Sequence, residues 1–467
     1  MNFMNTNEKI GSREIDMLNG SIGDKLLRFA IPLAATGILQ QLFNAADIAV
    51  VGRFVGKNAM AAVGSNSPIT ALIINLFTGI SIGANVVIAR CTGQNNSSGV
   101  KRTVHTALLF AAVCGMVFAV ICEFLSRPIL NLMSIPENVF DMALLYFRVY
   151  IGGMPVILLY NFSSAIFRSR GNTKTPLVCL LLSGIFNVLL NLFFVLILKM
   201  TVNGVALATV LSNLISSSLL IWALAHEESD IHFSFGDLKI DWNMLGEMIR
   251  IGLPAGIQGM VFSFSNIVIQ SSINKLGEDV MAASSAAFNL EIFAYYIINA
   301  FGQACTTFVG QNFGAKKPER CLRSTRLALI QDIIFTAALS VIILLAGKYL
   351  LMIFNDDPVV AEIGMIRLWY ILSAEVVNVV IEIVSGCMRG YGYSFVPAVL
   401  CMIGICGVRI VWSCTAFAAN PDFNVLMTAY PLSWVVTASS LVIAYFWVKK
   451  HQLRKFFSLP AEESMEG

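Results

Sequence analysis

Three polar side chains lie within one long apolar run near the start of the chain. The run extends from Arg28 to Arg53, and within it Gln40, Asn44 and Asp47 follow at intervals of four and three residues. That spacing places the three side chains on one face of an α-helix. The run is long enough to cross a bilayer, because each helical residue adds about 1.5 Å toward a hydrocarbon core about 30 Å thick. Asp47 is therefore predicted to be an intramembrane carboxylate, and such groups usually face a protein-lined functional cavity.

Two later apolar runs add oxygen-bearing side chains. Asn187 and Asn191 are four residues apart in one run, and Thr209 lies in the next. One carboxylate with several neutral oxygens is the ligand set that a hard cation needs. The predicted coupling residues for Na⁺ or H⁺ are Asp47, Asn44, Asn187, Asn191 and Thr209, with Na⁺ itself expected on all of these except Asn44. Two alternatives stay open: Asp47 is solvated at its helix end, or the asparagines only join helices by hydrogen bonds.

The second half of the chain carries further acids. Glu291 lies in one predicted helix, and Glu375 and Glu382 share a face of a later one. Pairing of the last two by Arg367 or Arg409 would make them structural; without it, either could share the coupling role. The residues predicted to form a substrate cleft or second acidic site are Gln40, Gln258, Glu291, Glu375, Asn378 and Glu382.

The elements that must position these side chains follow from composition. Of 467 residues, 57% are hydrophobic and 13% charged, against about 25% charged in soluble proteins. We predict an all-α polytopic membrane protein with twelve transmembrane helices. The net charge of +3 is too small to indicate a nucleic-acid partner, and the ten cysteines mostly lie in apolar runs without a CxxC pair. The predicted spans are 27–50, 60–88, 104–125, 139–162, 176–198, 203–225, 248–273, 283–308, 326–346, 363–386, 396–418 and 427–448.

The two halves of the chain repeat each other at an offset of about 221 residues. Six helices per half is an even number, so the two lobes should share one orientation, related by a pseudo-two-fold axis along the membrane normal. Gly93-Gln94-Asn95 matches Gly310-Gln311-Asn312 at a slightly smaller offset. Other matches are Arg28 and Pro32 with Arg250 and Pro254, Asn44 with Asn266, Gly56 with Gly277, and Arg168, Gly171 and Pro176 with Arg389, Gly392 and Pro397.

The predicted organisation combines this repeat with the uneven distribution of Lys and Arg. One set of loops is much richer in these residues, and the positive-inside rule makes that set, and both termini, cytoplasmic. The expected location is the plasma (inner) membrane. The predicted parts are an N-terminal cytoplasmic segment 1–24, an N-lobe 25–225 with helices 1 to 6, a cytoplasmic linker 226–247, a C-lobe 248–450 with helices 7 to 12, and a cytoplasmic tail 451–467.

Several motifs, spread over about residues 25–450, carry a family resemblance. They are Pro32…Asn44-x-x-Asp47…Val51-Gly52, the Gly-Gln pairs at 93 and 310, Arg168-x-Arg170-Gly171-Asn172-Thr173 and Met388-Arg389-Gly390-Tyr391-Gly392. As a set they resemble the multidrug and toxic compound extrusion transporters, nearer the DinF-like than the NorM-like branch. The resemblance implies two six-helix lobes around a central cleft. It also implies export of lipophilic, often cationic compounds in exchange for inward Na⁺ or H⁺.

The resemblance also assigns roles to single residues. Asp47 falls on the family's first-helix acid, and Thr209 on the sixth-helix threonine of the nearer branch. That branch has an Asn and an Asp in the fifth helix, where this chain has Asn187 and Asn191. The tenth-helix acid of the other branch falls on Asn378. The missing fifth-helix acid puts in doubt which lobe carries the coupling.

Two rival functions, a flippase and a membrane enzyme, would each need residues that can be looked for in the sequence. A flippase or exporter of lipid-linked or amphiphilic cargo with the same architecture would need cationic groups in the cleft, for which Arg148, Arg367 and Arg409 are the candidates. An enzyme is not expected, since the four histidines are scattered and no HExxH or phosphate-binding loop is present. Asp332 is expected to pair with a nearby basic loop, through Arg323 or Arg326. The expected partners are lipophilic cations, the coupling ion and the bilayer, with no cofactor and a monomeric state.

Overall fold

The twelve predicted spans are present in the structure, a computed structural model that describes residues 14–133 and 135–457, with side chains to residue 450. Eleven helices in these ranges are long and apolar enough to cross a membrane, or twelve when one bent pair counts as a single span. The predicted all-α polytopic fold is therefore confirmed. In chain order the spans are α1 Gly23–Phe54, α2 Lys57–Gly93, α3 Ser97–Leu132, α4 Glu137–Gly152 with Met154–Ser169, α5 Lys174–Ile197, α6 Val202–Ala225, α7 Trp242–Asn274, α8 Glu278–Gly314, α9 Pro318–Met352, α10 Pro358–Gly390, α11 Phe395–Ala419 and α12 Phe423–Lys450.

Most helices extend beyond their predicted ends. Hydropathy marks only the part of a helix that matches the hydrocarbon core, whereas capping determines where the helix ends. At the start of α3 the side chain of Asn96 accepts a hydrogen bond from the backbone of Gly99 at 2.9 Å, and Asp357 caps α10 in the same way through Val359. Residues 1–13 of the predicted N-terminal segment and 458–467 of the predicted tail lie outside the described residues.

The turns repeat between the two halves with the same backbone conformation. Gly56 and Gly277 have φ of 121° and 107°, a region open to glycine because it lacks a Cβ. Asn95 and Lys316 also share a left-handed conformation, with φ of 54° and 57°. The offset of about 221 residues thus holds at this turn as well, and the predicted match of Gly93 to Gly310 is wrong by one helical turn.

Three of the spans, α4, α5 and α11, depart from regular α-helix. The two pieces of α4 meet at a bend of 49°, where Gly153 is followed by Met154 and Pro155. Proline cannot donate a hydrogen bond to the preceding turn, so the helix breaks there. A π-helical stretch ends α5 at Phe193–Ile197, and a second one, Met402–Gly407, lies inside α11.

By packing, the chain divides into two compact units. Among the described residues, one contains 14–15, Ile31–Ile88 and Asn96–Ser263, and the other contains Asp16–Ala30, Ala89–Asn95 and the described chain from Phe264 onward. The division falls inside α1 and α7 rather than in the linker. The predicted lobe boundaries stay a prediction.

Each unit has glycines where two backbones come close. In the first unit, a Cβ added to Gly79 of α2 would overlap the backbone of Gly256 in α7. In the second, a Cβ on Gly386 of α10 would overlap the carbonyl of Gly302 in α8. Small residues allow such close packing, which matters in a membrane because lipid provides little hydrophobic force between helices.

Candidate functional site

Asp47 lies at the meeting point of α1, α5 and α6 and is only 5% exposed. Asn191 of α5 donates its side-chain amide to Oδ1 of Asp47 at 2.5 Å. Thr209 of α6 donates its hydroxyl to Oδ2 at 3.0 Å. Three of the predicted first-unit residues, Asp47, Asn191 and Thr209, are therefore brought together, and the carboxylate accepts hydrogen bonds on both oxygens.

The hydroxyl of Thr209 has two acceptors within reach. It lies 3.0 Å from Oδ2 of Asp47 and 3.0 Å from the backbone carbonyl of Val205, one turn earlier in α6. A threonine hydroxyl carries one hydrogen and two lone pairs, so it donates to only one of the two at a time. Thr209 can therefore donate to a charged Asp47, or donate to Val205 and accept a hydrogen bond from a protonated Asp47.

The asparagine pair of α5 extends the site. Asn191 also donates to Oδ1 of Asn187 at 3.2 Å, and Asn187 in turn donates to the hydroxyl of Ser212 at 3.5 Å. Asn191 is fully buried, and no described donor reaches its Oδ1. A buried carbonyl oxygen without a donor is costly unless a cation or water binds it. Asn191 thus presents an oxygen beside the carboxylate that suits a cation.

Two tyrosines of α4 that the sequence reasoning missed belong to the same region. Tyr146 and Tyr150 are buried and interact electrostatically with Asp47. Their rings stack, with centroids 6.0 Å apart. Their spacing of four residues in an apolar helix was the available signal.

The remaining first-unit candidates are not among the side chains that donate hydrogen bonds to Asp47. Gln40 and Asn44 are exposed on α1, about two turns and one turn before Asp47 respectively, although all three were predicted to share a face. Gln258 is buried in α7. The predicted roles of these three residues in ion coupling or substrate binding stay predictions.

In the second unit, Glu291 and Glu382 each pair with an arginine. Arg367 binds Glu291 through two hydrogen bonds, from Nη2 at 2.5 Å and from Nε at 3.0 Å. Arg389 donates to Glu382 at 3.2 Å, seven residues away on the same helix. The alternative in which Arg367 or Arg409 pairs with Glu375 and Glu382 is therefore wrong about the partners.

Two further acids of the second unit form no ion pair with any arginine in the described part of the chain. Glu375 accepts a hydrogen bond from Asn378 at 3.0 Å, and Asp332 of α9 accepts one from Thr336 at 3.0 Å. Asp332 is fully buried and interacts electrostatically with Glu375 and Glu382. The expected pairing of Asp332 with Arg323 or Arg326 is wrong. These arginines lie nine and six residues before Asp332 on α9, and both spacings place them on a different face of the helix.

The first-unit site is poor in strong metal ligands. Among the described residues, no group of three or more His, Cys, Asp or Glu side chains is placed to hold a metal ion. The donors around Asp47 are instead one carboxylate, two amide oxygens and a hydroxyl. This set fits a monovalent cation with oxygen preference, or a proton.

Comparison with known proteins gives a consistent match along the chain. A family model described as MatE matches residues 32–193 and 254–415, one segment in each half. A protein of Bacillus subtilis named probable multidrug resistance protein YoeA is 28% identical, covering 93% of this chain and 96% of the relative. The probable multidrug resistance protein NorM of Thermotoga maritima is 25% identical, covering 83% and 84%.

The fold also matches solved structures. One example is the outward-facing conformation of a multidrug resistance MATE family transporter of the MOP superfamily, with a TM-score of 0.85 at 20% sequence identity. The match covers 94% of this chain and 98% of that one. At this identity the likeness concerns the fold alone.

Proposed function

Because the chain belongs to the MatE family of membrane transporters, we propose that it is a secondary antiporter that exports lipophilic, cationic compounds in exchange for inward Na⁺ or H⁺. The family is the one predicted from the motifs, and its members are transporters rather than enzymes. The Bacillus and Thermotoga relatives are both named probable multidrug resistance proteins, which supports drugs as the cargo. Assignment to the DinF-like branch stays a prediction.

The observation that carries the proposal is the environment of Asp47. The carboxylate is buried at the junction of three helices, and both of its oxygens accept hydrogen bonds, from Asn191 and Thr209. Binding of a proton or Na⁺ neutralises this charge and changes what each partner must do. The site can therefore link ion occupancy to the packing of α1 against α5 and α6.

For a proton, Thr209 supplies the switch. With Asp47 charged, the threonine donates to the carboxylate; with Asp47 protonated, it turns to Val205 and accepts from the acid. The Thr209 hydroxyl and Oδ2 of Asp47 stay hydrogen-bonded in both states, so neither becomes an unsatisfied buried polar atom when a proton binds or leaves. Such an unsatisfied atom would cost about 1–3 kcal/mol.

For Na⁺, the oxygens of Asp47, Asn187, Asn191 and Thr209 are the ligands. Oxygen donors suit hard cations, and one carboxylate balances one positive charge. Oδ1 of Asn191, which no described side chain donates to, is the ligand that needs least rearrangement. Asn191 therefore stands in for the missing fifth-helix acid as a neutral ligand.

Exchange then follows from competition within an alternating-access cycle. An ion drives such a change only through its different affinity for the two states. One positive charge moving inward through about 100 mV supplies about 2.3 kcal/mol, equivalent to roughly a 50-fold gradient of a neutral substrate. With a monovalent cationic substrate, one-for-one exchange moves no net charge, so only the chemical gradient of the ion drives export.

The setting of this cycle is also part of the proposal. We place the chain in the plasma membrane with both termini cytoplasmic, because the basic loops follow the positive-inside rule. The monomeric state is the one that the family resemblance implies. Export then runs from the cytoplasm outward.

The candidate arginines give little support to a lipid-linked cargo. Arg367 is paired with Glu291, and Arg148 is half-exposed and paired with Glu123 at 3.0 Å. Of the three candidate arginines, only Arg409 has no carboxylate partner among the described residues. A pyrophosphate with several negative charges would need more than one such group.

The test is dye transport into everted vesicles with Na⁺ and pH gradients imposed separately. We expect a lipophilic cationic dye to accumulate with one gradient and not with the other, which also identifies the ion. Vesicles from cells carrying the empty vector are the control. If the dye accumulates with neither gradient, the antiport proposal is wrong and the rival cargo is favoured.

A further inference from the structure

Arg409 is a buried cation without a carboxylate partner. It lies in α11 and is 1% exposed, and no described Asp or Glu lies within ion-pair distance of it. Its Nε donates to Ser433 at 3.2 Å, and its Nη1 reaches Ser265 at 3.3 Å and Asn266 at 3.1 Å. The guanidinium carbon lies 4.2 Å from the ring centroid of Tyr430. All of these neighbours are uncharged.

The charged groups farther away do not supply a partner. Arg367 forms an ion pair with Glu291, and this pair contributes no net charge. Glu375 interacts with Arg409 electrostatically, but its hydrogen bond is with Asn378. Cys406, the remaining titratable neighbour, is a thiol one turn earlier in α11. A buried arginine normally has an anion beside it, because desolvating an unpaired charge costs several kcal/mol.

The position of Arg409 mirrors the Asp47 site in the repeat. Helices α7, α11 and α12 are the second-half counterparts of α1, α5 and α6, and Asn266 is the counterpart of Asn44. In the first half these helices surround a carboxylate with amides and a hydroxyl. In the second half they surround a guanidinium with an amide and hydroxyls. Equivalent sites in the two halves thus carry opposite charge.

The backbone next to Arg409 is unusual as well. The π-helical stretch Met402–Gly407 ends two residues before it. Such stretches are rare in helices and are frequent at functional sites. The π-helix Phe193–Ile197 similarly begins two residues after Asn191 at the first-half site.

We propose that Arg409 binds an acidic group, a carboxylate or phosphate, on the compound that is exported. The planar guanidinium can hold two oxygens of such a group at once, which makes arginine suited to this recognition. Asn266 is exposed, and its amide oxygen fills the place at Nη1 that a ligand oxygen would take. The inference rests on the proposed antiporter and extends its substrates to zwitterionic and acidic lipophiles.

The test compares two rhodamine dyes that differ in one group, a free carboxylate in one and its ethyl ester in the other. Uptake into everted vesicles is measured at dye concentrations below saturation for wild type, Arg409→Gln and Arg409→Lys. We expect Arg409→Gln to lower uptake of the carboxylate dye about tenfold or more and to change uptake of the ester less than twofold. Arg409→Lys keeps the positive charge but cannot bind two oxygens side by side, so we expect it to lower uptake of the carboxylate dye by less.

Two controls separate binding from folding. Arg148→Gln removes the same charge from an exposed position and should leave both dyes unaffected. Asn266→Asp keeps Arg409 and gives it an internal carboxylate, so uptake of the acidic dye alone should fall even if Arg409→Gln does not fold. Asn274→Asp makes the same change on the exposed end of α7 and should be silent.

The outcomes distinguish this proposal from the antiporter itself. Equal losses of both dyes in Arg409→Gln and Asn266→Asp, or no uptake of the carboxylate dye by wild type, would overturn the role of Arg409. Gradient-driven uptake of the ester by wild type would then still support the antiporter. Absence of gradient-driven uptake of either dye by wild type would overturn both proposals.

Discussion

Oδ1 of Asp47 accepts a hydrogen bond of 2.5 Å from the side-chain amide of Asn191, which lies 144 residues later in the chain. This contact ties α1 to α5 at the one buried acid of the first unit's candidate site. Since Asn191 occupies the position where the resemblance led us to expect a second acid, a single negative charge remains. One monovalent cation or one proton would therefore be enough to neutralise the site.

The hydroxyl of Thr209 should contribute to ion binding. Thr209→Val keeps the shape of the side chain but removes the hydrogen bond to Asp47, which is worth about 1 kcal/mol. We predict that the ion concentration for half-maximal dye transport rises about fivefold. Thr209→Ser, which keeps the hydroxyl, is the control. A valine variant with unchanged ion dependence would show that the hydroxyl takes no part.

The buried pair of Arg367 and Glu291 should be structural. Arg367→Met leaves the carboxylate buried and unpaired, which is expected to lower the free energy of unfolding by about 3–5 kcal/mol. Removing both charges in Arg367→Met/Glu291→Leu should recover most of this loss, as measured by thermal unfolding in detergent. The exposed pair of Lys101 and Asp237 is the control, because Lys101→Met should cost less than about 1 kcal/mol. A double variant no more stable than the single one would contradict this account.

The contact of α2 with α7 should not tolerate a side chain. A Cβ at Gly79 would overlap the backbone of Gly256, which cannot move as a flexible side chain can. We predict that Gly79→Ala lowers the amount of folded protein recovered from membranes and lowers its melting temperature. Gly64→Ala on the same helix is the matched control, since a Cβ there meets nothing within 4 Å. Equal behaviour of the two variants would be evidence against close packing at Gly79.

Asp241 should stabilise the start of α7 in a pH-dependent way. Hydrogen bonds from the backbone of Met244 and Asn243, together with Arg102 at 3.0 Å, hold the pKa of its carboxyl below the usual value. A lowered pKa in the folded protein means that the stabilisation is present above about pH 4 and is lost as the pH falls through the folded value.

We therefore predict that Asp241→Ala lowers the melting temperature at pH 7, in line with the roughly 1 kcal/mol of a helix cap. The difference from wild type should shrink as the pH is lowered below about 4. Glu247→Ala removes an exposed acid from the same helix and should have little effect. A difference that does not change with pH would indicate that the carboxylate charge is unimportant.

The sequence was sufficient for the parts of this account that depend on short-range pattern. Apolar length predicts the spans, because every backbone group in lipid must be satisfied within a helix. Spacing of polar residues selects Asp47, Asn191 and Thr209, which the structure brings into contact. The repeat in the chain predicts paired turns, and Gly56 and Gly277 share the same backbone conformation.

What the sequence could not provide is which charges meet between helices. Glu291 lies on α8, whereas Glu375 and Glu382 lie on the same helix as Arg367, and hydropathy does not tell that Glu291 is its partner. The pairing of Glu382 with Arg389 was not predicted either, because the predicted span 363–386 ends before Arg389. The π-helical stretches were also not predicted, because one extra residue in a single turn does not visibly change the hydrophobic pattern.

The most direct test of the central claim is ion flux driven by substrate in proteoliposomes. An outward gradient of a cationic dye is imposed across the membrane, and inward movement of H⁺ or Na⁺ is recorded for wild type and Asp47→Asn. We predict about one ion per dye for wild type, and no ion movement for Asp47→Asn even though the variant still binds dye. Equal dye-driven ion flux in the two proteins would contradict the assignment of coupling to Asp47.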